Sequence, residues 1–491
     1  FEEGIAYAES LSPVEAVADE FGHVKSLLFE KQVVEDGRWK DSGQVVDLPA
    51  RSVMVAAGTS PNVIYEKEHP GTFKLDKWKQ FFQGYAVSAD QELIEIQDPA
   101  RDVGFFTSYQ HPANREKLIS FYGDNHPKYA GNVVKAMASA KHGYPQVVSL
   151  FAGVSAENDD AWKALLARLD DGLIARVHEV NRLTPTIVEV VVRAPFAARH
   201  FLPGQFFRLQ NFEAYAPSID GTKLAMEGLA LTGASVDPER GLMSVIVLEM
   251  GGSSRLCAML KKDEPVVLMG PTGAPTEIPR DETVLLLGGG LGNAVLFSIA
   301  RALKENGCRV IYFAGYKKAA DVFKRDEIEA GTHEVVWSVD VGESIPPRRE
   351  QDLAFTGNIV QAMLWYAETH DLKSVQRIIA IGSDGMMRAV RDARHGVLAP
   401  YLDPKHVGIG SINSPMQCMM KQVCAQCLQR HVDPVTKKES FVFSCFNQDQ
   451  ELDHVDFVNL RARLRQNTVL EKLTNLWLTR ALAGDRGTMS V

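Results

Sequence analysis

The sequence predicts a mixed α/β and β protein built from several domains, and three observations carry that expectation. Runs rich in β-branched residues, Ala175–Val180, Thr186–Val192 and Leu242–Leu248, read as strands of a small barrel. An apolar strand starting at Thr283 runs through Gly288, Gly289, Gly290 and Gly292 into the apolar helix Ala294 to Lys304, the opening of a parallel sheet. Four of the six cysteines lie between Cys418 and Cys445, a spacing tight enough for one metal site.

Length and composition agree. With 491 residues, 45% apolar and 23% charged, the chain has material for about three domains, each with a core. A net charge of −9 argues against nucleic acid as the main partner, because duplex binding needs a basic face. Six cysteines are too few for a secreted disulfide scaffold. The longest apolar stretch, Thr283 to Ala302, is broken by glycines, so no membrane span is expected and the expected location is cytoplasmic. The first residue is Phe, and the expectation is the C-terminal part of a longer polypeptide.

Taken in order, residues 1–62 alternate apolar runs with turns, and Val24–Glu30 and Ser52–Ala56 read as strands. The second ends in Ala56–Asn62, where Gly58 allows a sharp turn or close backbone approach to a ligand. Residues 63–110 carry no sharp motif. Phe121–Asp124 follows, then Gly131–Ala140, which suits a helix with small residues on one face and a phosphate-binding N-terminus. A linker near Ala156–Asp160 and a short helix to about Asp171 lead into the all-β segment from Leu173 to Ile278, which includes Leu202–Phe207. After the glycine loop come strand Arg309–Ala314, then Arg377–Ile381 with Gly382–Met387 and a helix. Tyr316–Lys318 could receive a 2′-phosphate, although paired lysines at a strand end are usually just solvated. Residues 453–482 read as an amphipathic packing helix, with Phe457, Leu460, Leu464, Leu470, Leu473 and Trp477 on its apolar face. His111, His126 and His431 sit near motifs and read as hydrogen-bonded scaffold residues, and isolated Cys257 and Cys308 as buried thiols.

Two resemblances organise these motifs. Ala56–Asn62 and the Gly123-Asp124…Gly131–Ala140 pair resemble the closing motifs of the two-dinucleotide flavoprotein fold of disulfide reductases and the glutamate synthase small subunit. The resemblance implies that residues 1–155 are the C-terminal part of such a module. Gly58, Gly123, Asp124, Gly131, Asn132 and Val133 would then lie at FAD, and an upstream segment or partner subunit would complete the site.

The order Pro203-Gly204-Gln205, Gly251–Arg255, Gly270–Gly273, glycine loop resembles the ferredoxin–NADP reductase family, above all the electron-transfer subunit of dihydroorotate dehydrogenase. That resemblance implies a flavin barrel over 173–280, a Rossmann-like NAD(P)-binding domain over 281–408, a [2Fe–2S] domain over 409–450 and a helical segment over 451–491. Pro203, Gly204, Gln205, Gly252, Ser253, Ser254, Arg255, Gly270 and Gly273 would meet flavin, the two serines at its phosphates. Gly288, Gly289, Gly290, Gly292, Asn293, Gly382 and Asp384 would meet NAD(P)H. The family's Arg-x-Tyr/Phe-Ser motif is absent: the chain reads Met226–Thr232, and Glu227 cannot replace an arginine against phosphate; three alternatives stay open, that Arg255 takes the role, that flavin is bound differently, or that it is lost.

Cys418, Cys424, Cys427 and Cys445 are the expected metal ligands, one residue longer than the plant-type [2Fe–2S] spacing, with Met416 and Met419 shielding the sulfurs. Zinc and free thiols stay open. The function implied is electron transfer from NAD(P)H through FAD to the cluster and on to ferredoxin or a partner redox enzyme, as in NADH-dependent ferredoxin:NADP oxidoreductases. The alternatives are an electron-input subunit of a glutamate synthase-like or other dehydrogenase complex, and a structural zinc-containing assembly module.

Overall fold

The computed structural model describes residues 4–56, 58, 60–88, 92–98, 102–154, 159–412, 414, 416, 418, 421–466 and 468–485. Ala57, Thr59, Met419 and residues 156–158 of the expected linker lie outside the described residues. Two compact units divide the chain, Phe1–Val154 and Ser155–Val491.

In the first unit β1 (Leu11–Ala18), β2 (Val24–Glu35) and β3 (Arg38–Pro49) form an antiparallel meander. Helix α1 (Ile64–Glu68) precedes a small antiparallel sheet of β4 (Tyr85–Val87), β5 (Leu93–Glu95), β6 (Phe106–Ser108) and β7 (Leu118–Ser120), and helix α2 (Val133–Ser149) follows. Ser52–Ala56, expected to be a strand, is extended chain without ladder partners, with Met54 and Val55 89% and 86% exposed. An apolar run becomes a strand only where a neighbour pairs with its backbone.

The second unit opens with α3 (Asp159–Leu173). A closed barrel follows, β8 (Ala175–Thr184), β9 (Ile187–Arg193), β10 (Phe206–Asn211), β13 (Leu229–Asp237), β14 (Leu242–Leu248) and β15 (Pro265–Thr272), in the order β10-β13-β14-β9-β8-β15. Between them lie α4 (Pro195–His200), the ribbon β11 (Ser218–Ile219) and β12 (Thr222–Lys223), and the short α5 (Gly252–Leu256). Val188, Val190, Val192, Phe207, Leu209, Val245 and Val247 point inward and fill the barrel. Leu202–Gln205 turns rather than pairs, so β10 begins only at Phe206.

The seven-stranded sheet comprises β16 (Thr283–Gly289), β17 (Arg309–Tyr316), β18 (Glu334–Val339), β19 (Leu353–Thr356), β20 (Val375–Ile381), β21 (Val407–Ser411) and β24 (Asp449–Glu451). Its order is β19-β18-β17-β16-β20-β21-β24, parallel except for β24. Helices α6 (Gly292–Glu305) and α7 (Arg325–Ala330) lie on one face, and α8 (Ile359–Ala367), α9 (Asp384–His395) and α10 (Phe457–Leu464) on the other. Val284 and Leu286 enter one core while Leu285 and Leu287 enter the other, which is why the strand is apolar without alternation. The cysteine segment carries the hairpin β22 (Leu428–Val432) and β23 (Glu439–Phe443).

The C-terminal amphipathic segment is two helices, α10 and α11 (Thr468–Asp485), not one. Phe457 and Leu460 are buried, but Leu470, Leu473 and Trp477 are exposed, and α11 buries Leu478 and Ala481 instead. Periodicity finds an apolar stripe and does not say which stripe is covered. Among the described residues no helix is long and apolar enough to cross a membrane.

Candidate functional site

The parallel sheet changes direction of growth at β16. From there the chain proceeds outward through β17, β18 and β19, then returns to place β20 on the opposite side. Loops diverge at such a switch point and leave a crevice beyond the strand C-termini. A cavity of about 690 Å³ occupies it, lined by Gly289, Gly290, Tyr316, Lys317, Asp340, Asn358, Gln361, Ser383 and Met386 among others. Helix α6 begins two residues beyond Gly290 with no side-chain cap; the Asn293 and Ala294 N–H groups turn back to the Gly290 and Leu291 carbonyls (3.3 and 2.9 Å), and the helix dipole favours an anion at this end.

The glycines have steric causes. A Cβ on Gly292 would stand 2.2 Å from the Ile381 carbonyl oxygen, and one on Gly288 would stand 2.1 Å from Asn293 Oδ1. Gly290 has φ +55°, a left-handed turn suited to glycine. Asn293, expected at the cofactor, is fully buried. Its amide donates to the Gly290 carbonyl (2.8 Å) and its oxygen accepts from the Tyr312 hydroxyl (3.0 Å), so it shapes the loop instead. Asp384, also expected there, accepts from Arg461 Nε at 2.8 Å and does not line the cavity. Gly382 packs against Met386 and Gly289 at the cavity's floor. Lys317 belongs to the Tyr316–Lys318 segment that the sequence offered to a 2′-phosphate, whereas Asp340, Asn358, Gln361 and Met386 were not among the expected contacts. Counting strands after the glycine loop would have pointed to Asp340, which follows β18.

The barrel's expected flavin shelf is covered by the chain itself. Ser254 Oγ accepts from the Met250 and Gly251 N–H groups (3.1 and 2.8 Å), and Ser253 Oγ accepts from the Glu227 N–H (2.9 Å). Arg255 donates to the Asn475 carbonyl (3.0 Å) and to Thr479 Oγ1 (2.9 Å), both on α11. Arg208 lies along Gly228, one residue from Glu227, with its Nε 1.7 Å from where a Gly228 Cβ would stand. Gln205 donates to the Gly273 carbonyl (2.9 Å), and Gln448 donates to the Gly204 carbonyl (2.9 Å). A Cβ on Gly270 would meet the Phe207 ring, and one on Gly273 the Phe206 ring. The backbone loop Gly251–Ser254 suits a diphosphate in kind, but α11 lies on it.

The cysteine segment packs on the outer face of β10 and β13. Phe206 forms a buried cluster with Cys427 and Cys445, with Ala230, Met416 and Phe443 against it. A space of only about 40 Å³ remains between Phe206, Ala230, Met416 and Gln448. Cys427 and Cys445 are buried, Cys418 half-buried and Cys424 exposed. A hydrogen bond from Cys445, with backbone N–H groups and Arg463 nearby, holds the Cys427 thiol down at about 6. The same contact pushes Cys445 up. Burial raises Cys418, but N–H groups of Cys424, Lys421 and Val423 outweigh it and the net direction is downward. Further N–H donors reach Cys445 Sγ from Gln422 (3.3 Å) and Cys424 Sγ from Gln426 (3.5 Å). Gln422 and Ala425 both have φ +58°. Among the described residues no three His, Cys, Asp or Glu side chains are grouped around one metal position. The donor set itself, four thiols with N–H groups directed at sulfur, suits a thiolate-held iron–sulfur cluster. Cys257 is buried and its thiol is pushed up to about 12, and Cys308 is buried too.

In the first unit the two expected motifs do meet. The Asn62 N–H donates to Asn125 Oδ1 (2.8 Å), and a cavity of about 550 Å³ is lined by Ser60, Pro61, Lys67, Asp124 and Gly131 among others. Gly58 is exposed, and Gly123 and Gly131 have φ +66° and +86°. Asp124 accepts from the Gly131 N–H (3.1 Å). Asn132 caps α2 through the Val134 and Lys135 N–H groups, so it serves its own helix, while Val133 is exposed. A larger cavity of about 760 Å³ among Trp78, Phe81, Phe82 and His126 falls where the sequence carried no motif.

No family model matches the chain. It is 29% identical over 472 residues, 96% of its length, to an uncharacterised protein of Rickettsia prowazekii, of which it covers 52%. It is 28% identical over 149 residues (30% of the chain, 49% of the relative) to a homologue of the dihydroorotate dehydrogenase B (NAD⁺) electron transfer subunit from Thermotoga maritima. The chain thus spans about half the length of these curated relatives. The solved structure of an NADH-dependent reduced ferredoxin–NADP oxidoreductase superposes with a TM-score of 0.51 at 21% identity, over 62% of this chain and 98% of that one. The chain therefore shares, over most of its length, the fold of that oxidoreductase.

Proposed function

We propose that this chain is an NAD(P)H-dependent flavoprotein oxidoreductase that moves electrons from a nicotinamide cofactor, by way of FAD and a [2Fe–2S] cluster, to ferredoxin or a partner redox enzyme. One observation carries the proposal: the open cavity at the sheet's switch point, lined by the glycine loop at Gly289 and Gly290 and by Lys317 and Asp340 beyond the next two strands. The likeness to dihydroorotate dehydrogenase electron transfer subunits supports it. In this reading the glycine loop at Gly289 and Gly290 holds the cofactor's diphosphate, Lys317 and Asp340 flank a ribose, and Met386 keeps water from the inner end. Bound FAD supplies the exchange between two-electron hydride and single-electron chemistry. The chain's task is then to position and to exclude water, and no side-chain acid or base is required.

Cys418, Cys424, Cys427 and Cys445 hold the cluster, and the N–H groups of Gln422 and Gln426 favour their thiolate forms. Residues 173–280, 281–408 and 409–450 are the flavin, nucleotide and cluster domains. Residues 1–155 are the C-terminal part of a second flavin module, completed by an upstream segment or partner subunit, and the protein works in the cytoplasm.

A structural zinc module is the second reading, favoured by Glu227 in place of the phosphate-binding arginine. Low-temperature EPR of anaerobic protein, before and after NADH or NADPH, separates the two. A reduced [2Fe–2S] signal appearing with nucleotide supports electron transfer and identifies the donor. A sample that holds zinc and stays silent even with dithionite overturns it.

A further inference from the structure

Helix α11 is seated unevenly for a packing helix. In its first half Glu471, Thr474 and Asn475 meet the barrel while the apolar residues face solvent, and in its second half Leu478, Ala481 and Leu482 pack on the barrel core. Glu471 Oε2 stands 2.6 Å from where a Gly251 Cβ would be, and the Thr474 methyl stands 2.7 Å from the Gly252 position. Asn475 donates to the Met250 carbonyl, while its own Oδ1 is buried without a partner. Arg255 is bonded to the Asn475 carbonyl and Thr479. Outside, Val469, Leu470, Leu473 and Leu476 are 71%, 67%, 59% and 69% exposed. Among the described residues of α11, Leu478 and Ala481 are buried, with Leu482 packed beside them. Over Gly251–Arg255 the seat is made of exposed hydrogen bonds and one orphaned carbonyl, with no buried apolar side chain of α11 between Thr468 and Trp477 to hold it.

We propose that α11 is a self-inhibitory cover on the flavin-phosphate shelf of the barrel. Resting on the flavin reading above, it places the Glu471 carboxylate over Gly251 and the Thr474 methyl over Gly252, where a flavin diphosphate would bring its own negative charge. It also diverts Arg255, a cation that could serve that phosphate once Glu227 replaces the arginine of the family motif. The helix and the diphosphate exclude one another, so flavin enters the barrel only as α11 lifts. A closed fraction lowers apparent affinity in proportion, so weakening the cover raises it.

The test uses the full chain and FAD itself. Hydrogen exchange is followed at 250–256 and 468–485 during FAD titration, and FAD affinity is compared between wild type and Glu471→Ala/Asn475→Ala/Thr479→Ala. The expected results are faster exchange at 468–485 as FAD protects 250–256, and about tenfold tighter FAD in the variant. If FAD protects 250–256 while 468–485 stays unchanged and the variant binds equally, the cover is refuted and the flavin reading stands. If neither protein shows protection at 250–256, both fall.

Discussion

At the residue scale, two side chains report how the sequence is read by its surroundings. His126 is 1% exposed and sits among Phe105, Phe121 and Tyr129. Its Nδ1 accepts from the Lys128 N–H and its Nε2 faces the Gly104 carbonyl, a pattern that needs the neutral ring. Burial drives its pKa down to about 4 from 6.5. The folded value is depressed, so the unfolded chain binds the proton first. Stability is therefore complete above pH ~6.5 and falls as pH drops toward ~4, by up to about 3 kcal/mol. Thermal melts of wild type and His126→Gln from pH 7 to 4 should converge by that amount, and a constant difference would count against a buried neutral His126. Gly292 makes the second case. Gly292→Ala drives a methyl into the Ile381 carbonyl, and we expect a loss of about 1–3 kcal/mol with weaker NAD(P)H binding, read by melting and nucleotide fluorescence. That Gly292 would be a glycine in a tight loop was legible from the sequence. That the neighbour is β20, some ninety residues on, was not.

At the scale of elements, barrel and sheet are joined by a buried ion pair. Glu189 of β9 accepts from Lys324, just before α7, at 2.8 Å and from Ser244 of β14 at 2.5 Å. Burial raises Glu189, but Lys324 and Ser244 outweigh it and its pKa ends low. Lys324→Met strands a buried carboxylate and should cost about 2–4 kcal/mol. Adding Glu189→Gln should restore much of that loss, and a double-mutant cycle by denaturant unfolding checks it. No local pattern announces such a pair, since both residues look like ordinary surface charges in sequence. The strands of barrel and sheet were legible, because β-branched runs and a two-sided apolar strand carry their periodicity in the local sequence. The strand expected at Ser52–Ala56 failed for want of a partner, and α11 failed in its buried face.

At the scale of the whole molecule, the cysteine segment should be a metal-dependent appendage on a metal-independent scaffold. Cys427→Ser and Cys445→Ser should lose most bound metal, measured by elemental analysis. Both should retain NAD(P)H binding, because the switch-point cavity is lined by the sheet and not by these cysteines. Loss of nucleotide binding in both would tie the two sites together. By itself the sequence determined the order of architectures, a closed barrel, then a parallel sheet, then a four-thiol segment, and it located the glycine loop. Those features are written in local spacing and in the steric demands of single residues. The tertiary structure alone decided that Asn293 is buried against Tyr312, that Asp384 pairs with Arg461, that Asn358 and Gln361 line the cavity, and that α11 lies over Gly251–Arg255. Each depends on residues far apart in the chain meeting in space, and burial and pairing are properties of that meeting rather than of either segment.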